Sequence, residues 1–128
     1  MADTGAGEVR RAEDGELSGS VCELPDGRWA ALAVFGGVLG VRGTAAEARA
    51  VVEADGLASL ARRWFYRPAP DAEWEVVVIQ EAWPGRAVVV LGPYALAGMP
   101  TIEITAADLA GGVELTHEPP DEHFAQYA

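Results

Sequence analysis

The chain of 128 residues has no lysine, no asparagine, two histidines and one cysteine. A single cysteine, Cys22, excludes an intrachain disulfide, and with it the disulfide-built scaffolds common among small secreted proteins. A reducing, cytoplasmic setting is the expectation. Lysine and asparagine have AT-rich codons, so their joint absence points to a high-GC genome, most simply a bacterial one. The same bias inflates Ala, Gly, Val and Arg, which makes Ala-rich or Gly-rich stretches weak evidence for anything. Long apolar runs are missing too. The longest, 30–39, is interrupted by Gly36-Gly37 and falls well short of the ~20 residues of a membrane-spanning helix. The first sixteen residues carry Asp3, Glu8, Arg10, Arg11, Glu13 and Asp14, not the apolar core of a signal peptide. No G-x-S-x-G, H-E-x-x-H, paired C-x-x-C or phosphate-loop pattern occurs, and no cofactor is expected.

Acidic residues are abundant. Twenty acids face nine arginines, for a formal net charge of −11. That balance favours solubility and opposes nucleic acid and anionic lipid as partners. Residues 1–16 hold five acids and two arginines, and 118–128 hold three acids and no base. Both ends therefore read as tails: 1–16 disordered and acidic, 118–128 acidic and Pro-containing. The remainder, 17–117, reads as one domain. Half the residues are hydrophobic, enough for a core without a metal or a staple.

The pattern within 17–117 predicts an α+β fold. Strands are expected at 18–24, 28–35 and 38–42, separated by Pro25-Asp26-Gly27 and Gly36-Gly37 turns. Thr44 followed by Glu47 forms a capping box for a main helix at 45–55, with Gly56 at the position of a left-handed cap. Apolar spacing extends to a short second helix at 57–63. The valine-rich segments 74–82 and 86–91 flank Pro84-Gly85 as a hairpin. Short strands at 101–104 and 113–116 bracket a helical turn capped by Thr105. The sum is six to eight short strands in small antiparallel sheets, covered by the main helix. An SH3-like or other small β-barrel in the C-terminal half is the alternative architecture.

Two clusters stand out chemically. His117, Glu118, Asp121 and His123 offer imidazoles and carboxylates of the kind that ligate zinc or another divalent transition metal. The intervening Pro119-Pro120 favours the plainer reading, a solvated acidic tail. Arg62, Arg63, Trp64, Tyr66 and Arg67 interleave cations with aromatics. That pattern serves single-stranded nucleic acid binders, but the net charge argues against such a partner. With Trp83, which borders a turn as Trp64 and Tyr66 do, these residues are the candidate partner-binding surface. Cys22 on a strand reads as a small buried hydrophobe. The function expected is that of a small non-catalytic intracellular protein-binding module: an adaptor, accessory subunit, immunity protein or regulator. Two alternatives stand beside it. One is a small enzyme or ligand-binding domain whose site is assembled from distant residues. The other is an acidic DNA-mimic inhibitor.

Overall fold

The computed structural model describes residues 7–128. It is a small α+β protein built on one curled, half-barrel sheet of nine strands, larger than the sheets expected from the sequence. The strands are β1 (Gly7–Arg10), β2 (Leu17–Glu23), β3 (Trp29–Ala33), β4 (Val38–Arg42), β5 (Arg63–Arg67), β6 (Glu75–Trp83), β7 (Arg86–Leu91), β8 (Thr101–Thr105) and β9 (Glu114–Thr116). Their order across the sheet is β1-β2-β3-β4-β9-β5-β6-β7-β8. Two antiparallel meanders, β1 to β4 and β5 to β8, thus meet through β9. It pairs in parallel with β4 at Val38 and Thr116, and antiparallel with β5. The all-antiparallel expectation fails at this one parallel step.

Register shifts between Val9 and Arg10, Ala31 and Leu32, and Ile79 and Glu81 mark bulges. Bulges bend strands and increase their twist, which lets the sheet curl. The curl brings the turn after β6 over the turn after β3, where the Gly85 amide donates to the Val34 carbonyl at 3.3 Å. Val9 from one edge of the sheet and Ile104 from the other belong to the same buried core. That core is the physical content of the barrel-like architecture.

Helix α1 (Ala45–Asp55) packs across β1 to β4 and buries Ala48 and Val52. The Thr44 hydroxyl accepts from the Glu47 amide at 3.1 Å and itself donates to the Glu47 carboxylate. Gly56 is right-handed, with φ −51, so the left-handed cap expected there does not form. Its lack of a side chain serves close approach instead, since a Cβ would strike the Ser18 and Val52 carbonyls. The helix expected at 57–63 contracts to a single 3₁₀ turn at Ala58–Ala61. Arg62 is already extended, because the chain must enter β5 beside β9. The helical turn after Thr105 is α2 (Ala106–Ala110), with both hydrogen bonds of the capping box present. Among the described residues no helix is long and apolar enough to cross a membrane.

Both ends depart from the tail reading. Residues 1–6 lie outside the described residues, but 7–16 form β1 and a turn. Val9 is buried, and the turn is tied by Arg11 to Asp14 and Glu16. The Arg11 guanidinium holds the Asp14 carboxyl down to about 2. At the other end α3 (Glu122–Ala125) sets Phe124 edge-on to Phe65, ring centroids 5.8 Å apart. Each polar segment thus sets one apolar residue, Val9 or Phe124, against the rest of the fold.

If β1 is part of the core, Val9→Ala removes a buried side chain and lowers the unfolding free energy by about 2 kcal/mol in urea titration. Glu8→Ala, on the exposed face of the same strand, changes it by less than about 0.5 kcal/mol. Equal small effects would show that β1 does not contribute to the core.

Candidate functional site

The segment Arg62-Arg63-Trp64-Phe65-Tyr66-Arg67 is divided by the two-residue period of a strand. Trp64 and Tyr66 point into the core, and Arg63, Phe65 and Arg67 face the other way. Trp64 is fully buried. Its indole N–H donates to the Ser59 carbonyl at 2.9 Å, and its ring lies edge-on to Phe35 with centroids 5.0 Å apart. Tyr66 is buried as well. The expectation that both are exposed at a partner surface is therefore corrected: they are core residues. Trp83 is partly exposed, under the Arg86 guanidinium at 4.0 Å from its ring centroid. It lies along β6 well beyond Val78, the residue registered with Arg63. Arg67, at the far end of β5, is occupied by an ion pair with Glu114 and by the Trp74 ring 4.6 Å away. Of the six candidates, only Arg62 and Arg63 come together at one surface feature.

The four candidate metal ligands do not converge. His117 lies against Trp64, with ring centroids 5.3 Å apart. Glu118 is 3.6 Å from the Arg42 guanidinium. The Asp121 carboxylate caps α3 by accepting from the Phe124 amide, and His123 packs edge-on to Phe124. Among the described residues no three His, Cys, Asp or Glu side chains are grouped to hold a metal.

A groove of about 570 Å³ opens where Arg62 and Arg63 leave the 3₁₀ turn. Val78 forms part of its lining, Tyr94 and Ala95 come from the loop between β7 and β8, and Tyr127 from the segment after α3. Two arginines and two tyrosines line it, with no acidic side chain. Arg63 is fixed: its Nε donates to the Pro93 carbonyl at 2.7 Å, and its guanidinium carbon lies 5.3 Å from the Tyr94 ring centroid. A smaller cleft of about 250 Å³ shares Arg62 and Arg63 and adds His117, Asp55, Arg42 and Glu118.

Loop 92–100 connects β7 to β8. In the structure it carries Tyr94, Leu96 and Met99, with 65%, 61% and 39% of their surfaces exposed. Ala95 has φ +50, the one non-glycine residue with positive φ among the described residues. Such a conformation costs an L-residue roughly 1–2 kcal/mol, and residues held that way cluster at functional sites. The loop is pinned at its base by the Leu91 amide on the Pro100 carbonyl and the Gly92 amide on the Val76 carbonyl. Tyr94, Leu96 and Met99 between Pro93 and Pro100 were the available signal, since a connecting loop rarely needs three large apolar side chains. Tyr127 was hidden by the tail reading of 118–128.

No family model, curated protein or solved structure matches this chain.

Burial lowers the His117 pKa below its ordinary value; the nearby Arg62 lowers it further, and Asp55 and Glu118 act against both. The folded state thus disfavours the imidazolium, and the unfolded chain binds the proton more readily. Stability is therefore expected to fall as pH drops through about 6.5, the unperturbed histidine value. Urea titrations between about pH 8 and pH 5.5 check this. His117→Gln should remove that part of the pH dependence, and an unchanged profile in the variant would contradict it.

Proposed function

We propose that the chain is a non-catalytic protein-binding module that engages its partner through loop 92–100 and the adjoining Arg62–Arg63 groove. An adaptor, accessory subunit, immunity protein or regulator of a bacterial cytoplasm is the role this reading favours. The observation that carries it is the placement of exposed apolar surface. Of the four large hydrophobic residues exposed among the described residues, Tyr94, Leu96 and Met99 all fall on this one loop. Clustered apolar exposure marks interaction sites, and Tyr and Met are enriched there. The backbone strain at Ala95 falls at the same place. The groove beside the loop presents guanidinium, phenol and alkyl groups. These supply charge and stacking. Carboxylate, imidazole and thiol side chains, the usual carriers of acid–base and nucleophilic chemistry, lie outside that groove. This favours binding over catalysis.

The test is affinity capture from a bacterial lysate with the wild-type chain and with the triple variant Tyr94→Ser, Leu96→Ser, Met99→Ser. These positions are exposed, so the variant should keep the melting temperature within about 3 °C. It should lose at least about tenfold of the specifically captured protein, the scale of truncating interface hot spots. Undiminished capture by a folded variant would place the interface elsewhere.

A further inference from the structure

We infer that the Arg62–Arg63 groove binds an acidic peptide segment of the partner, taking its carboxylates on the two guanidinium groups while an apolar residue of the same segment packs on Tyr94. This rests on the protein-binding reading above and specifies the chemistry of its partner.

The argument starts from how the arginines are spent. Acids outnumber arginines twenty to nine. Arg10, Arg11, Arg28, Arg42, Arg67 and Arg86 each have a carboxylate within ion-pair distance. Arg49, Arg62 and Arg63 form no ion pair among the described residues. Two of these three are adjacent and line the same groove, and no acidic side chain lines it with them. In so acidic a chain, an anion placed there meets two guanidinium groups with no side-chain carboxylate within ion-pair distance, although the lining also includes Ala128 and its terminal carboxylate.

Arg63 is also positioned in advance. Its Nε is held by the Pro93 carbonyl and its guanidinium carbon lies 5.3 Å from the Tyr94 ring centroid, and its two terminal nitrogens make no hydrogen bond among the described residues. A guanidinium edge matches the two oxygens of a carboxylate, and fixing it beforehand reduces the entropy lost on binding. Tyr94 is mostly exposed and Leu96 follows it on the loop, so an apolar neighbour of the bound carboxylate finds a surface within the same face.

The same surface separates a peptide from a polynucleotide. Strand-like nucleic acid requires a positive track with successive stacking platforms. Here the positive charge comes from two adjacent arginines, and the neighbouring cleft that they also line brings in Asp55 and Glu118. A polyphosphate leaving the groove would meet repulsion from a protein of net charge −11. A segment with one or two carboxylates does not have to leave it.

The experiment is fluorescence anisotropy on the full chain. The probe is a fluorescein-labelled peptide of sequence Gly-Glu-Leu-Glu-Gly, beside its Gly-Gln-Leu-Gln-Gly counterpart and a labelled oligodeoxythymidine. Saturable binding of the Glu peptide is expected, at least about fivefold tighter than the Gln peptide, because charge-assisted pairs are the strong ones. Arg62→Gln should weaken it about fivefold, Arg49→Gln should leave it unchanged, and added salt should weaken it progressively. Equal binding of the Glu and Gln peptides, equal effects of Arg62→Gln and Arg49→Gln, or tighter binding of the oligonucleotide would each overturn the inference. Failure here, with the loop variant still losing its captured protein, removes the acidic-segment inference and leaves the protein-binding reading standing. Retained peptide binding with undiminished capture does the reverse.

Discussion

A strand of three residues holds the sheet together. β9 lies between β4 and β5, and without it the two meanders share no hydrogen-bonded ladder. Its central residue, Leu115, is buried in the common core. The His117 amide extends the junction by donating to the Val38 carbonyl at 2.8 Å. The pairing is non-local: β9 follows all eight other strands in sequence, yet inserts midway across the sheet. Closing such a contact costs chain entropy before any packing repays it. Apolar surface on both sides supplies the compensation, with Trp64 on β5 and Leu39 on β4 both buried beside it. Gly37 leaves the room this needs, since a Cβ there would come within 2.5 Å of the Phe35 ring and 2.8 Å of the Trp64 ring.

From this junction the placement of the candidate site follows. β5 must pair with β9 on one side and β6 on the other. Its alternation is then fixed, and a shift by one residue would expose Trp64 and bury Arg63. The two outcomes differ by many kcal/mol, so the register is firmly set. With it set, Arg63 emerges opposite Val78, under loop 92–100, and Arg62 at the strand's entrance. The groove is thus a consequence of burying one tryptophan. Its basic character in an acidic protein arises because this segment of the sequence places two arginines where the chain turns out of the core.

Elements carried by local signals were legible in the sequence. The helix at 45–55 and the strands at 38–42 and 86–91 have the expected boundaries, because each starts at a cap or a turn whose chemistry is local. Features decided by distant contacts were not. β1 is polar apart from Val9, and nothing nearby in sequence says that β2 will pair with it. The barrel-like curl depends on bulges, which alternation does not announce. The composition of the aromatic-arginine cluster resembles that of a surface. The decisive fact, which face of β5 meets the core, is set by its register with β6 and β9. The metal cluster failed for a similar reason: Asp121 and His123 are used to form and pack α3, while His117 is held on Trp64. Loop 92–100 is not legible because Gly92, Pro93 and Pro100 signal only a break, and its apolar content does not say which surface the loop will reach.

The account depends most on β9 being integral to the core and not a segment laid against it. Native-state hydrogen exchange measures this directly. If β9 joins the two meanders, the hydrogen-bonded amides of Glu114–Thr116 will exchange only through global opening, with the same free energy as the central amides of β5 and β6. If the β9 amides exchange by local opening while β5 and β6 stay protected, the junction is peripheral and the origin assigned here to the groove is wrong.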